Sequence, residues 1–148
     1  MFFSKIFIAS LFMALIQYHP DQMRYRIRLQ EYSYTFIPQG KCRDTLFTKL
    51  DQGKSIKIYL FDCKGKMNVE CFNKDSILIE KGSYVNSLDL LKSYYYAIDA
   101  TRSKTTIKVS SYYHPLRNGV WYYYDDLGEP LLNKIYDRGI VIDSFIFK

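Results

Sequence analysis

Asn118-Gly119-Val120-Trp121-Tyr122-Tyr123-Tyr124-Asp125-Asp126-Leu127-Gly128 is the stretch on which the fold reading turns. Val120–Tyr124 is a run of aromatic and β-branched residues, the types that fit a pleated, half-buried surface. Asp125-Asp126-Leu127-Gly128-Glu129-Pro130 stops it. An Asp side chain accepts hydrogen bonds from backbone amides ahead of it in a turn, and Gly takes the positive φ that ends one. Leu131–Tyr136 returns, Asp137-Arg138-Gly139 turns again, and Ile140–Phe147 follows. Upstream, Tyr59-Leu60-Phe61-Asp62-Cys63-Lys64-Gly65 has the same form, aromatic-x-aromatic-Asp-x-x-Gly. The repeat-turn residues are thus Asp62, Gly65, Asp125 and Gly128.

Working outward, the rest reads the same way. In Met23–Leu29, Tyr25, Ile27 and Leu29 point one way and Arg24, Arg26 and Arg28 the other, the period-two mark of a half-buried strand. Tyr32–Phe36 extends or follows it, and Pro38-Gln39-Gly40 breaks the run. Ser55–Asp62 is a strong strand, and Met67–Phe72 returns after the turn at Asp62–Gly65. Asn73–Ser76 is another turn. Ile77–Glu80 comes next, and Lys81-Gly82 separates it from Ser83–Val85. Thr105–Tyr113 alternates again. Ser87–Lys92 carries the signals of a short helix, with Ser87 as N-cap, whereas Tyr94-Tyr95-Tyr96 favours a strand over Lys92–Ile98. Eight to ten short strands with turns at roughly ten-residue intervals predict an all-β fold. The short connections favour an antiparallel meander of successive hairpins.

The chain has 148 residues, enough for one domain. Hydrophobic residues make up 48% of it, which excludes intrinsic disorder. Residues 1–18 form a separate zone. Lys5 precedes the apolar run Ile6–Ile16, of signal-peptide length and short for a membrane span. Export to a periplasmic or secreted location is the expectation, with residues 21–148 as the domain. The alternatives are a buried N-terminal strand or helix and an uncleaved membrane anchor. Ala14 is a candidate for the last residue before the cut, although Phe12 is large for the small-x-small pattern. Removing this segment takes one cation and no acid from a net charge of +6. Such a modest basic charge, without dense Lys/Arg clusters, excludes a typical nucleic-acid binder and suits an anionic membrane surface or polysaccharide.

Cys42, Cys63 and Cys71 are an odd set with no CxxC pair, and the only histidines are His19 and His114. No metal site, cofactor or Cys–His catalytic pair is expected from them. In an oxidising compartment Cys63 and Cys71, flanking a turn, are the candidate disulfide, with Cys42 left over. Three buried, unbonded cysteines are the alternative. None of the GxSxG, HExxH or P-loop motifs is present.

Gly119, Trp121, Tyr123, Tyr124, Gly128, Tyr136 and Gly139 keep the register of the pattern Gly-x-Trp-x-Tyr-Tyr-x-x-x-Gly, strand, Tyr-x-x-Gly. In these roughly 20 residues the chain resembles the MORN-type repeat, in the variant found in bacterial antitoxin-like repeat proteins. Upstream units are degenerate, and 87–103 departs from the pattern. The resemblance implies a sheet of stacked hairpins that share a core. It also implies a binding or scaffolding role, without catalytic residues.

The first functional expectation is therefore an exported, non-catalytic module that binds a protein or glycan through Tyr112, Tyr113, Trp121, Tyr122, Tyr123 and Tyr124. Tyr and Trp combine large contact area with a polar tip. Strand alternation must bury either Trp121 and Tyr123 or Tyr122 and Tyr124. The second is envelope or membrane-surface contact through Arg24, Arg26 and Arg28, set against a solvated strand whose arginines blunt a sheet edge. The third is a hydrolase using the turn carboxylates Asp125 and Asp126.

Overall fold

The computed structural model describes residues 25–39 and 42–148. The candidate signal segment and Arg24 lie outside the described residues. Eleven strands are present among those described: β1 (Arg26–Leu29), β2 (Tyr34–Phe36), β3 (Asp44–Lys49), β4 (Ser55–Leu60), β5 (Met67–Phe72), β6 (Leu78–Val85), β7 (Leu90–Asp99), β8 (Lys104–Tyr113), β9 (Leu116–Tyr124), β10 (Pro130–Asp137) and β11 (Ile140–Ile146). Two 3-10 turns, Gln30–Tyr32 and Asp51–Gly53, are the only helical pieces among the described residues. The fold is all-β. Among the described residues, no helix is long and apolar enough to cross a membrane.

The strands form two sheets. The larger has the order β11-β10-β9-β6-β5-β4-β3 and is antiparallel throughout. It contains two hairpin meanders, β3–β6 and β9–β11, joined where β6 pairs with β9. The smaller sheet has the order β2-β1-β8-β7, and there β1 runs parallel to β8. A pure meander is thus interrupted once, where the β7–β8 hairpin leaves the large sheet and joins the small one.

Alternation explains the core. β4 turns Ile56, Ile58 and Leu60 inward, and β5 turns Met67, Val69 and Cys71 inward. Against them lie Ile27, Leu29 and Phe36 from β1 and β2, with Tyr84 and Trp121 closing the cluster. Each fully buried side chain of this size contributes about 1.5–3 kcal/mol relative to exposure.

Several expectations are corrected. Ser87–Lys92 is not helical: the Ser87 hydroxyl donates to the Asp89 carbonyl, 2.8 Å away, closing a bend before β7. Lys81-Gly82 is no break, because β6 runs through it and the Trp121 indole occupies the space a Gly82 side chain would need. β1 is not an edge, since β2 and β8 flank it, so Arg26 and Arg28 do not serve as edge blockers. Strand β3, which lacks a strong alternating signal, was not anticipated.

The disulfide joins Cys42 to Cys63, with Cα atoms 4.9 Å apart, and Cys71 is free and buried. Cys63 sits in the turn that caps the β4–β5 hairpin, whereas Cys71 pairs with Ile56 near its other end. Cys71 lies four positions along β5 from Met67, roughly 13 Å at strand rise, beyond the reach of a disulfide. Burial, with Glu80 nearby, pushes the Cys71 thiol up to about 11. Thiol counting on unfolded, unreduced protein should therefore find one reactive thiol, and none in Cys71→Ala. Retention of a free thiol in Cys71→Ala would contradict the pairing. Cys42→Ser should cost about 2–3 kcal/mol in denaturant unfolding.

Candidate functional site

The outer face of the large sheet carries a candidate site. Register places Tyr59 opposite Asn68, Asn68 opposite Ser83, Glu70 opposite Lys81, and Lys81 opposite Tyr122. Cross-strand partners project from the same face. The result is a groove of about 410 Å³ across β4, β5, β6 and β9. Its walls are Tyr59, Phe61, Val120 and Tyr122, and the backbone at Val69 and Gly82 contributes to its lining. A second depression of about 1030 Å³, lined by Arg43, Asp44, Asp62 and Lys66 among others, shares Tyr59 and Phe61 with it.

Its acids are already engaged. Tyr59 donates its hydroxyl to Glu70 Oε2 at 3.2 Å, and Asp44 Oδ1 accepts the Thr45 amide at 2.7 Å. Asp62 Oδ1 accepts the amides of Lys64 and Lys66, and its Oδ2 accepts from the Asn86 side chain. The cations are not so engaged: Arg43, Lys57, Lys66 and Lys81 have no ion-pair partner among the described residues. Lys57 lies 4.9 Å from the Tyr59 ring centre, and Lys81 lies 5.1 Å from that of Tyr122 and 6.0 Å from that of Tyr124. Through its hydrogen bond, Tyr59 holds the Lys57 ammonium above its usual range.

The six aromatics singled out in the sequence do not form one surface. Tyr122 and Tyr124 face outward. Trp121 is fully buried, and its indole N–H donates to the Ser83 carbonyl at 3.1 Å. Tyr123 also points inward. Trp121 and Tyr123 are therefore removed from the candidate surface. Tyr112 and Tyr113 belong to the small sheet, where Arg28 lies 5.6 Å from the Tyr112 ring centre and Tyr25 meets Tyr113 edge-on. Sequence reading missed Phe61, Asn68, Glu70, Lys81, Ser83 and Val120 as site residues. The aromatic-x-aromatic spacing of Tyr59 and Phe61 was the available signal.

Behind Trp121 lies a buried polar cluster that sequence reading also missed. Arg117 is sandwiched at the junction of the sheets. Its Nη2 meets Glu80 Oε1 at 2.7 Å, its Nη1 donates to the Tyr123 hydroxyl at 2.6 Å, and its Nε lies 3.5 Å from Glu31 Oε1. Its guanidinium carbon is 4.0 Å from the Trp121 ring centre. Tyr32, from the small-sheet hairpin, donates to Glu80 Oε2 at 2.9 Å. Burial, reinforced by Glu80, pushes the Tyr32 hydroxyl well above its usual range. Burial, with Glu31 next, does the same to Tyr84. Burial opposes the charge on Arg117, but Glu80, Tyr84 and Tyr32 around it turn the net shift upward. This cluster latches the two sheets together.

The repeat turns have one geometry. Asp125 Oδ1 accepts the amides of Leu127 and Glu129, just as Asp62 Oδ1 accepts those two and four residues on. Gly65 and Gly128 have φ of 98° and 88°. A third copy stands at Asn73, whose Oδ1 accepts from Asp75 and Ile77, with Ser76 taking the positive φ. Asn and Ser there hid the match. Asp125 thus has a structural task, and Asp126 is exposed beside it, which gives the hydrolase reading no support.

No family model, curated protein or solved structure matches this chain. The assignment of function therefore rests on the geometry above.

Proposed function

We propose that this protein is an exported, non-catalytic binding module whose ligand is an acidic oligosaccharide held in the outer groove of the large sheet. The observation that carries the reading is the groove itself: aromatic walls at Tyr59, Phe61 and Tyr122, hydrogen-bonded acids, and the cations Lys81, Arg43 and Lys66, which have no ion-pair partner among the described residues. Aromatic walls with a few convergent polar groups are the usual make-up of a small-ligand site. A peptide fits less well. Extended peptides dock by adding a strand to a free sheet edge, and β4, β5, β6 and β9 are all interior strands whose edges are already paired. Ligand recognition must then run through side chains, which suits sugar rings and their hydroxyls.

Two further observations support the rest of the reading. The Cys42–Cys63 bond belongs to an oxidising compartment, in keeping with the apolar segment at Ile6–Ile16. The resemblance to MORN-type repeats points to binding rather than catalysis.

A glycan array probed with the intact chain tests the proposal. Acidic oligosaccharides should be retained, and Tyr59→Ala/Tyr122→Ala should weaken binding by about tenfold or more. Both rings are outward, so the fold should persist. An array without a single retained glycan would overturn the reading.

A further inference from the structure

The β7–β8 hairpin is an arm. β8 registers with β1 only at Arg26↔Tyr112 and Ile27↔Tyr113. From Ser93 to Ser110 the two strands pair with each other, and no other described strand pairs with them there. A two-stranded ribbon of this length has two faces, and here they differ.

Register puts Tyr94 opposite Val109, Tyr96 opposite Ile107, and Ile98 opposite Thr105. Tyr94, Tyr96, Ile98, Ile107 and Val109 therefore share one face, and they are 67%, 76%, 78%, 65% and 52% exposed. At the arm's base this face is continuous with Ile27 and Leu29, which are fully buried in the core. The core-facing side of the small sheet thus runs on into open space. The opposite face carries Ser93, Tyr95, Asp99, Lys104, Thr106 and Lys108 among others. The arm is an amphipathic ribbon.

Its charge selects the partner. Lys92, Arg102, Lys104 and Lys108 stand against one acid, Asp99, which pairs with Arg102 across 3.9 Å in solvent. Lys92 lies on this face at the base end of the apolar stripe and Arg102 lies in the tip turn, so a cation stands at each end, whereas Lys104, opposite Asp99, projects from the other face. A second copy laid face to face and antiparallel would bring Lys92 against Arg102, like charge to like. An anionic bilayer answers both features. Its hydrocarbon boundary accepts Ile98, Ile107 and Val109. Its interface accepts Tyr rings with their hydroxyls in the headgroups, and its phosphates attract the flanking Lys and Arg.

We propose that the β7–β8 arm docks this protein on an anionic phospholipid bilayer, apolar face down, with Lys92 and Arg102 at the headgroups. This site is separate from the sugar groove and does not depend on it.

Flotation of the full chain with vesicles tests the proposal, using phosphatidylcholine alone or with phosphatidylglycerol. Binding should appear with phosphatidylglycerol and fall as salt rises. Ile98→Ser/Ile107→Ser should weaken it by about tenfold or more. Lys92→Gln/Arg102→Gln should weaken it and flatten its salt dependence. All four residues are exposed, so melting temperatures should not move, and every variant keeps the same N-terminal segment, so a loss belongs to the arm. Three results would overturn the proposal: no binding of the unaltered chain to phosphatidylglycerol vesicles, undiminished binding by the Ile98→Ser/Ile107→Ser variant, or a dimer in sedimentation that this same variant dissociates. The last would make the face a contact between copies.

Discussion

Gly82→Ala will destabilise the protein by about 3–5 kcal/mol, comparable with removing the tryptophan it touches. Gly82 lies in the middle of β6, paired with Val69. Its φ is unremarkable, so strain is not the reason. A Cβ at Gly82 would fall inside the Trp121 indole, against Cγ, Cδ2 and Cε2. Trp121 has nowhere to go. It is 0% exposed, meets Tyr84 edge-on at 5.1 Å, donates its N–H to Ser83, and carries Arg117 on its ring. A methyl at Gly82 must eject the indole or part β6 from β9, and interiors packed at crystal density absorb little of either. Denaturant unfolding with an unchanged m-value measures the loss. A loss below about 1 kcal/mol would mean that the indole does not rest on this backbone. The groove floor includes Gly82, so the same variant should also weaken ligand binding.

Glu80→Ala should cost about 3–5 kcal/mol, because it removes the close partner of a buried cation. The Arg117 side chain is 12% exposed and that of Glu80 15%. After the substitution, Arg117 keeps only the 3.5 Å approach of Glu31 and the hydroxyls of Tyr123 and Tyr136, and Tyr32 loses its acceptor. Arg117→Met should cost a similar amount, since it leaves Glu80 buried with a single hydroxyl donor. The double variant should lose much less than the two single losses added, because neither charge is then stranded. Strict additivity in this cycle would refute the latch. Since Tyr32 and Glu31 belong to the small sheet's hairpin and Glu80 and Arg117 to the large sheet, the single variants should also raise amide exchange in β1 and β2 ahead of β4 and β5.

The turns explain how much was legible. At Asp62 and Asp125 the deciding hydrogen bonds reach two and four residues ahead, and the glycine that completes each turn is three residues on. Such short-range chemistry is written in consecutive letters. The third turn carries Asn73 and Ser76 in the same places, chemically equivalent but different in letter, and so passed as an ordinary turn. The strands themselves were legible from period two where one face is buried, as in Ser55–Leu60. They were not legible in Asp44–Lys49, an edge strand with mixed letters on both faces.

The candidate site was less readable for a different reason. Tyr59 and Tyr122 share a groove only because β6 skips the β7–β8 arm and pairs with β9. Nothing in the letters near Tyr122 states that Lys81 and Ser83 lie beside it. The disulfide failed likewise: Cys63 and Cys71 are near in sequence but lie toward opposite ends of one hairpin, while Cys42 reaches Cys63 from beyond β3.

The sequence by itself determined the all-β class, most strands, the Asx turns and the rule that Trp121 and Tyr123 must part from Tyr122 and Tyr124. These follow from backbone sterics and hydrogen bonds that span a few residues. Only the tertiary structure decided which of those faces is buried, that β1 lies parallel to β8, which cysteine is free, and that a basic, apolar arm stands clear of the core. Those outcomes depend on which distant strand covers each face, and burial is a property of the whole packed chain rather than of any window within it.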